Sequence, residues 1–71
     1  MKNDKARSVV NQPNIHGTTP LIISAQKGYL EIVKCLVENG AKIDQPDFSE
    51  ITPQFIALIE NQFEVTKYFE E

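Results

Sequence analysis

The sequence predicts an all-α repeat fold built from stacked helical units, and three observations carry that expectation. The first is a period. Gly17-Thr18-Thr19-Pro20-Leu21 has its Thr-Pro pair repeated as Thr52-Pro53, 33 residues later. At the same offset Ile23 matches Ile56, Glu31 matches Glu64, Lys34 matches Lys67 and Glu38 matches Glu71, and residues 10–14 align with 43–47. The second is an apolar stripe at three-to-four spacing within the period, and the third is Gly or Asn at the points where a helix must stop. A fixed period of this size marks supersecondary units that cannot bury their apolar faces alone and therefore stack. Such an arrangement points to a binding scaffold rather than an enzyme.

Each element of the unit follows from local chemistry. Thr19 is expected as a helix N-cap, and Pro20 suits the first helical position, where its missing N–H costs nothing. Leu21, Ile22, Ile23, Ser24 and Ala25 then give a short, mostly apolar helix. Gly28 breaks it, being the residue that most easily takes positive φ. A second helix is expected from about Tyr29 to Asn39, with Leu30, Ile32, Val33, Leu36 and Val37 forming one stripe. Asn39-Gly40 ends it, Gly40 being expected as a left-handed C-terminal cap. Ala41 to Pro46 leads into the next unit as an extended or turn segment.

Gly17-Thr18-Thr19-Pro20-Leu21, Gly28-Tyr29-Leu30-Glu31-Ile32-Val33-Lys34 and Glu38-Asn39-Gly40-Ala41 together resemble an ankyrin repeat, with the motifs in the family's order and spacing over a full period. The resemblance covers residues 9–71. It implies an ankyrin-type solenoid of about two repeats, each a β-turn plus an antiparallel helix pair. It divides the chain into residues 1–13, an N-terminal tail with a partial repeat remnant, residues 14–46, a first repeat, and residues 47–71, a divergent second repeat. It also implies a non-catalytic protein–protein interaction module.

Departures from the family pattern carry expectations of their own. Ile22 and Phe55 stand where the family usually has a His that ties neighbouring loops, so apolar packing must replace that polar tie. Glu50 takes the place of Gly17, which is expected to distort the second hairpin or cost about 1 kcal/mol. Asn61 replaces Gly28, Gln54 replaces Leu21, Thr66 replaces Val33, Glu70 replaces Val37 and Leu58 replaces Ala25. More polar residues plus one bulky residue read as a C-terminal cap. Asn3 and Asp4 stand one period before Leu36 and Val37, so no helix is expected ahead of the first repeat. A complete small chain and an excised piece are both open at this point, with Met1 and the cap-like end arguing mildly for the former.

Composition narrows the function classes. Seventy-one residues make one small domain, and solenoids usually need about three repeats to stand alone. A fragment of a longer stack, an oligomer or an unusually well-packed minimal stack would each answer that. The single cysteine, Cys35, excludes an internal disulfide and is expected as a buried or half-buried apolar residue. Met1-Lys2-Asn3-Asp4-Lys5 has no apolar stretch behind it and no run approaches membrane-spanning length, so a cytoplasmic or otherwise intracellular setting without membrane contact is expected. The net charge of −3 hides an asymmetry. Residues 1–34 carry five cations against two acids, net +3, and residues 35–71 carry two against eight, net −6. Opposite ends of that kind would suit head-to-tail stacking of copies, although ordinary solvated ends are the simpler reading.

Chemistry is poorly supplied. One His and one Cys, on a hairpin and a second helix respectively, do not make a nucleophile pair or a metal site. The three glycines lie far apart, so no phosphate loop exists. The patch of Lys2, Lys5 and Arg7 is small against an acidic chain of pI near 5.0, so nucleic acid is not an expected partner. No cofactor, metal or small-molecule substrate is expected. The resemblance implies that targets are held by the hairpin tips and the concave face of the first helices. In this chain those positions are Ile15, His16, Thr18, Gln26 and Lys27 in the first repeat, and Phe48, Ser49, Ile51, Ile59 and Glu60 in the second. Ile15, Phe48 and Ile51 stand out, because apolar residues on exposed hairpin tips mark interfaces; packing on neighbouring hairpins is the competing reading. The expected partner is a protein. The alternative is a structural or self-assembly role, as a homo-oligomer or part of a longer stack.

Overall fold

Two helix pairs stand side by side in the computed structural model, which describes residues 10–71. The first pair is α1 (Pro20–Lys27) and α2 (Leu30–Glu38), and the second is α3 (Pro53–Ile59) and α4 (Phe63–Glu70). Helix α1 packs along α3 and, less extensively, α2 packs along α4. The described residues contain no strand. The expectations placed on residues 1–9 lie outside the described residues.

The pairs repeat one another bond for bond. Thr19 caps α1 by accepting from the Ile22 N–H at 3.3 Å, and Thr52 caps α3 by accepting from the Phe55 N–H at 3.2 Å. Pro20 and Pro53 follow in the first turn of each. At the α1–α2 joint Gly28 has φ 77°, and the Tyr29 N–H donates to Ser24 O at 3.0 Å. At the α3–α4 joint Asn61 has φ 60°, and the Gln62 N–H donates to Ala57 O at 2.9 Å. Asn visits the left-handed region at low cost, so the substitution preserves the turn. Helix α2 begins and ends within one residue of its expected bounds, with Tyr29 and Asn39 as its caps.

The hairpins that precede each pair are built by an Asx turn. Asn14 Oδ1 accepts from the N–H groups of His16 (2.8 Å) and Thr18 (3.0 Å), and Asp47 Oδ1 accepts from those of Ser49 (2.8 Å) and Ile51 (2.9 Å). A side-chain oxygen that holds its own backbone two residues on fixes a tight turn. Glu50 does not distort the second hairpin, contrary to one of the two outcomes expected. Its N–H donates to Asp47 O at 3.0 Å, matching Gly17 to Asn14 at 2.9 Å, and it reaches φ 70° against 77° for Gly17. The penalty therefore sits in the Glu50 dihedral rather than in altered geometry.

The core is a seam between the pairs. Leu21, Ala25, Val33, Ala41, Ala57 and Val65 are buried in one cluster, with Val10, Leu30, Leu36, Val37, Ile56, Tyr68 and Phe69 packed around it. Each fully buried Leu or Val in it contributes about 1.5–3 kcal/mol. Two expectations about α2 fail here. Ile32 does not share the buried stripe but is about half exposed, and Cys35 is exposed rather than buried. Both follow from geometry. With about 3.6 residues per turn, Cys35 lies about 200° around the helix from Val33, away from the seam. Ile32 lies on the side that no second pair covers. Between the pairs a polar tie forms away from the Ile22 position: Gln62 Nε2 donates to Gln26 O, near the end of α1, at 2.8 Å. Near the N-terminal end, Asn11 Nδ2 donates to Gly40 O at 3.1 Å while its Oδ1 accepts from the Lys42 N–H at 2.9 Å.

Two substitutions in the second repeat should raise stability. Glu50→Gly removes a left-handed non-glycine residue, with an expected gain of about 1 kcal/mol after glycine's own entropic cost. In a domain of this size that is a rise of about 4–8 °C in the thermal midpoint, readable by circular dichroism. Thr66 Oγ1 is buried with no hydrogen-bond partner, whereas Val33 fills the equivalent position one period earlier. Thr66→Val should therefore stabilise by about 1 kcal/mol in urea titration, because an unpaired buried hydroxyl costs about 1–3 kcal/mol. Destabilisation would show that the hydroxyl is satisfied in solution.

Candidate protein-binding face

The hairpin tips project from one edge of the stack, and a backbone bond joins them. The Phe48 N–H donates to His16 O at 3.1 Å, so the tip of the second hairpin is laid against the first. The Phe48 ring sits over Gly17. A Cβ at Gly17 would come within 2.5 Å of Phe48 Cδ1 and 2.8 Å of the Phe48 backbone nitrogen. Gly17 is thus required twice, by its positive φ and by the ring above it. Part of the competing reading is therefore correct: Phe48 does pack on the neighbouring hairpin. It nevertheless keeps 77% of its surface exposed, and Ile15 keeps 85%.

The remaining expected site residues divide by burial. His16, Ser49, Gln26, Lys27 and Glu60 are exposed, Ile59 is half exposed at the end of α3, and Thr18 and Ile51 are half-buried. Ile51 is turned inward because its N–H and C=O are both bound by Asp47. Gln26 and Lys27 end α1, one period before Ile59 and Glu60. The Gln26 carbonyl is engaged by Gln62, which sequence reasoning missed. The available signal was that Gln62 stands one period after Tyr29, placing an amide at the mouth of the inter-pair joint.

Charge at this edge is lopsided. Glu50 and Glu60 are exposed here with Asp47 half-buried, against Lys27. Among the described residues two shallow grooves lie elsewhere: one between α2 and α4 lined by Leu30, Lys34, Glu64, Lys67, Tyr68 and Glu71, the other around Gly28 and Gln62. Neither contains an expected contact residue. Among the described residues no three His, Cys, Asp or Glu side chains are grouped to hold a metal ion, and no helix is long and apolar enough to cross a membrane.

The repeat geometry agrees with comparison to known proteins. The family model for ankyrin repeats (three copies) matches residues 2–70. The chain belongs to the ankyrin-repeat family. The match begins ahead of residue 9, where the motif-based resemblance starts. An ankyrin repeat protein of Rickettsia bellii is 49% identical over 41 residues, covering 58% of this chain and 17% of that protein. A glycerophosphocholine phosphodiesterase of Candida albicans is 40% identical over 53 residues, covering 75% of this chain and 5% of that protein. An acyl-CoA-binding domain-containing protein 6 homolog of Dictyostelium discoideum is 40% identical over 43 residues, covering 61% and 14%. The chain thus spans only a small part of each of these relatives. Ankyrin repeats are generally protein–protein interaction modules and typically non-enzymatic.

Gly17→Ala tests how the ankyrin hairpins hold one another. It should destabilise by about 1–3 kcal/mol, because the new Cβ meets both a positive φ and the Phe48 ring. The Phe48 ring resonances should shift in the same variant. Glu50→Ala, at the equivalent position with a non-glycine residue already present, should be near neutral in the same denaturation experiment.

Proposed function

We propose that this ankyrin chain is a non-catalytic protein–protein interaction module that holds a protein partner through its hairpin tips and the concave face of its first helices. The observation that carries the reading is the pair of exposed apolar tips, Ile15 and Phe48, held one repeat apart by the Phe48–His16 backbone bond. Large apolar side chains on a rigid edge anchor interfaces because they bury area with little further loss of freedom. His16, Thr18, Ser49 and Ile51 flank these anchors, and Gln26, Lys27, Ile59 and Glu60 extend the surface along the first helices. The partner in this reading is a protein surface with apolar pockets, rather than nucleic acid, membrane or a small-molecule substrate. A cytoplasmic or otherwise intracellular setting belongs to the same reading, supported by the family and by a single unpaired cysteine.

The test is quantitative affinity capture from cell extract on immobilised wild-type chain, Ile15→Asp, Phe48→Asp and Cys35→Ser. Bound partners should fall at least about tenfold for the first two variants, the effect of losing one apolar anchor, and stay unchanged for the third. Circular dichroism should show all four chains equally folded. Equal capture by the wild type and both hairpin variants would remove the hairpins as the binding face.

A further inference from the structure

The end of α2 carries a reactive dipeptide that the binding reading leaves unused. Five asparagines stand in the chain, and Asn39 alone is followed by glycine. A backbone nitrogen closes a ring on the preceding side-chain amide most readily when its own residue is slender, and glycine, without Cβ, hinders that approach least. Asn39 and Gly40 are both exposed, so water and base reach them. In the folded chain, however, both reacting groups are held by other partners. The Asn39 side chain is turned back along the helix, with Nδ2 donating to Cys35 O at 2.7 Å. The Gly40 N–H donates to Val37 O at 3.1 Å, with Gly40 at φ 99°. The chemistry is therefore shut while the cap is formed and open when the last turn frays, and helix ends open at little cost.

We infer that Asn39–Gly40 is a deamidation site guarded by the fold, and that its reaction permanently loosens the end of α2. Solvent base takes the Gly40 amide proton, and the nitrogen forms a bond to Asn39 Cγ. The Cγ–Nδ2 bond breaks, and Nδ2 takes a proton from water and leaves as ammonia. Water then opens the succinimide. Cleavage at Cγ leaves aspartate, and cleavage at the Asn39 main-chain carbonyl leaves isoaspartate, with the main chain routed through the side-chain carbon. The sum is amide plus water to acid plus ammonia, with nothing oxidised or reduced. Either product weakens the cap. Aspartate loses the donor to Cys35 O and sets a carboxylate against that carbonyl, at the negative end of the helix dipole, with no basic side chain in the last turn to offset it. Isoaspartate adds a main-chain carbon just ahead of Gly40 and Ala41, whose N–H groups are bound to Val37 O and Leu36 O. Asn11 binds Gly40 O and the Lys42 N–H across the same stretch, and Ala41 lies in the core, so the change reaches the segment leading into the first hairpin.

The experiment incubates the 71-residue chain in mildly alkaline buffer, with and without guanidinium chloride. Peptide mass mapping reads the conversion of each asparagine, and labelling by an isoaspartate methyltransferase identifies the rearranged product. Asn39 should convert first in both samples, at least about tenfold more slowly without denaturant, the ratio being set by the free energy of opening the cap. The purified converted chain and the variant Asn39→Asp should both melt several degrees below wild type by circular dichroism. Earlier conversion of another asparagine, or no conversion of Asn39 in either sample, overturns the assignment. Equal rates with and without denaturant overturn the guarding role of the cap. A converted chain as stable as wild type overturns the loosening.

Discussion

Ala25 and Ala57 have no exposed surface, and the rest of the molecule depends on the seam they allow. Helices α1 and α3 are each about two turns long, far too short to be stable alone. They persist because small residues on facing sides let the pairs close until Leu21, Val33 and Val65 exclude water. That closeness has consequences beyond the core. Two hairpins that begin at the N-termini of α1 and α3 are carried along, and they arrive near enough for the Phe48–His16 bond and for the Phe48 ring to cover Gly17. The spacing of the exposed tips is thus set by alanines in the interior.

Much of this was legible in the sequence wherever a residue acts on its own neighbours. Thr19-Pro20 and Thr52-Pro53 fix helix starts through bonds spanning three residues, and Gly28 and Asn61 fix stops through a single dihedral. Those are local signals, and the helices fell where they indicated. The failures share a different cause. A single helix with one stripe does not record that a repeat has two neighbours, one on each side. Ile32 and Val33 are adjacent in the same apolar run, yet one faces the second pair and the other faces the uncovered end. Cys35 fits a family position but points off the seam. The Gln62–Gln26 and Asn11–Gly40 ties cross between elements 36 and 29 residues apart; only the comparison of Gln62 with Tyr29 across the period hints at the first, and nothing announces the second. Of the candidate face, the sequence offered both exposed tips and tips packed on the neighbouring hairpin, and could not choose between them for Phe48, because the choice depends on an approach that only stacking creates.

The fold separates its surfaces by orthogonal rules. Along the stacking direction, residues are constrained by what the next pair can accommodate. Along the hairpin edge, only the Asx turn and the positive-φ position are constrained, leaving the tips free to vary. Asp47 holds the second hairpin as Asn14 holds the first, although the tips they present differ, Ile15 against Phe48. Repeat scaffolds can therefore change partners without refolding, and for the same reason the fold cannot name the partner.

Equivalent positions meet unequal demands, and the second repeat bears the consequence. Where Ala25 must be small because a helix lies against it, Leu58 is large and half exposed; where Val33 is sealed, Thr66 carries a hydroxyl with no partner. A side chain covered on one face contributes less burial than one covered on both, so a bulky or polar residue costs less there. The polarity is uneven even so: Gln54 stands one period after the buried Leu21, whereas Phe55 and Leu58 stay apolar and about half exposed. Within the described residues, Ile23 and Ile32 show the same contrast against Ile56 and Val65, because each repeat keeps its apolar pattern whichever of its faces the other pair covers.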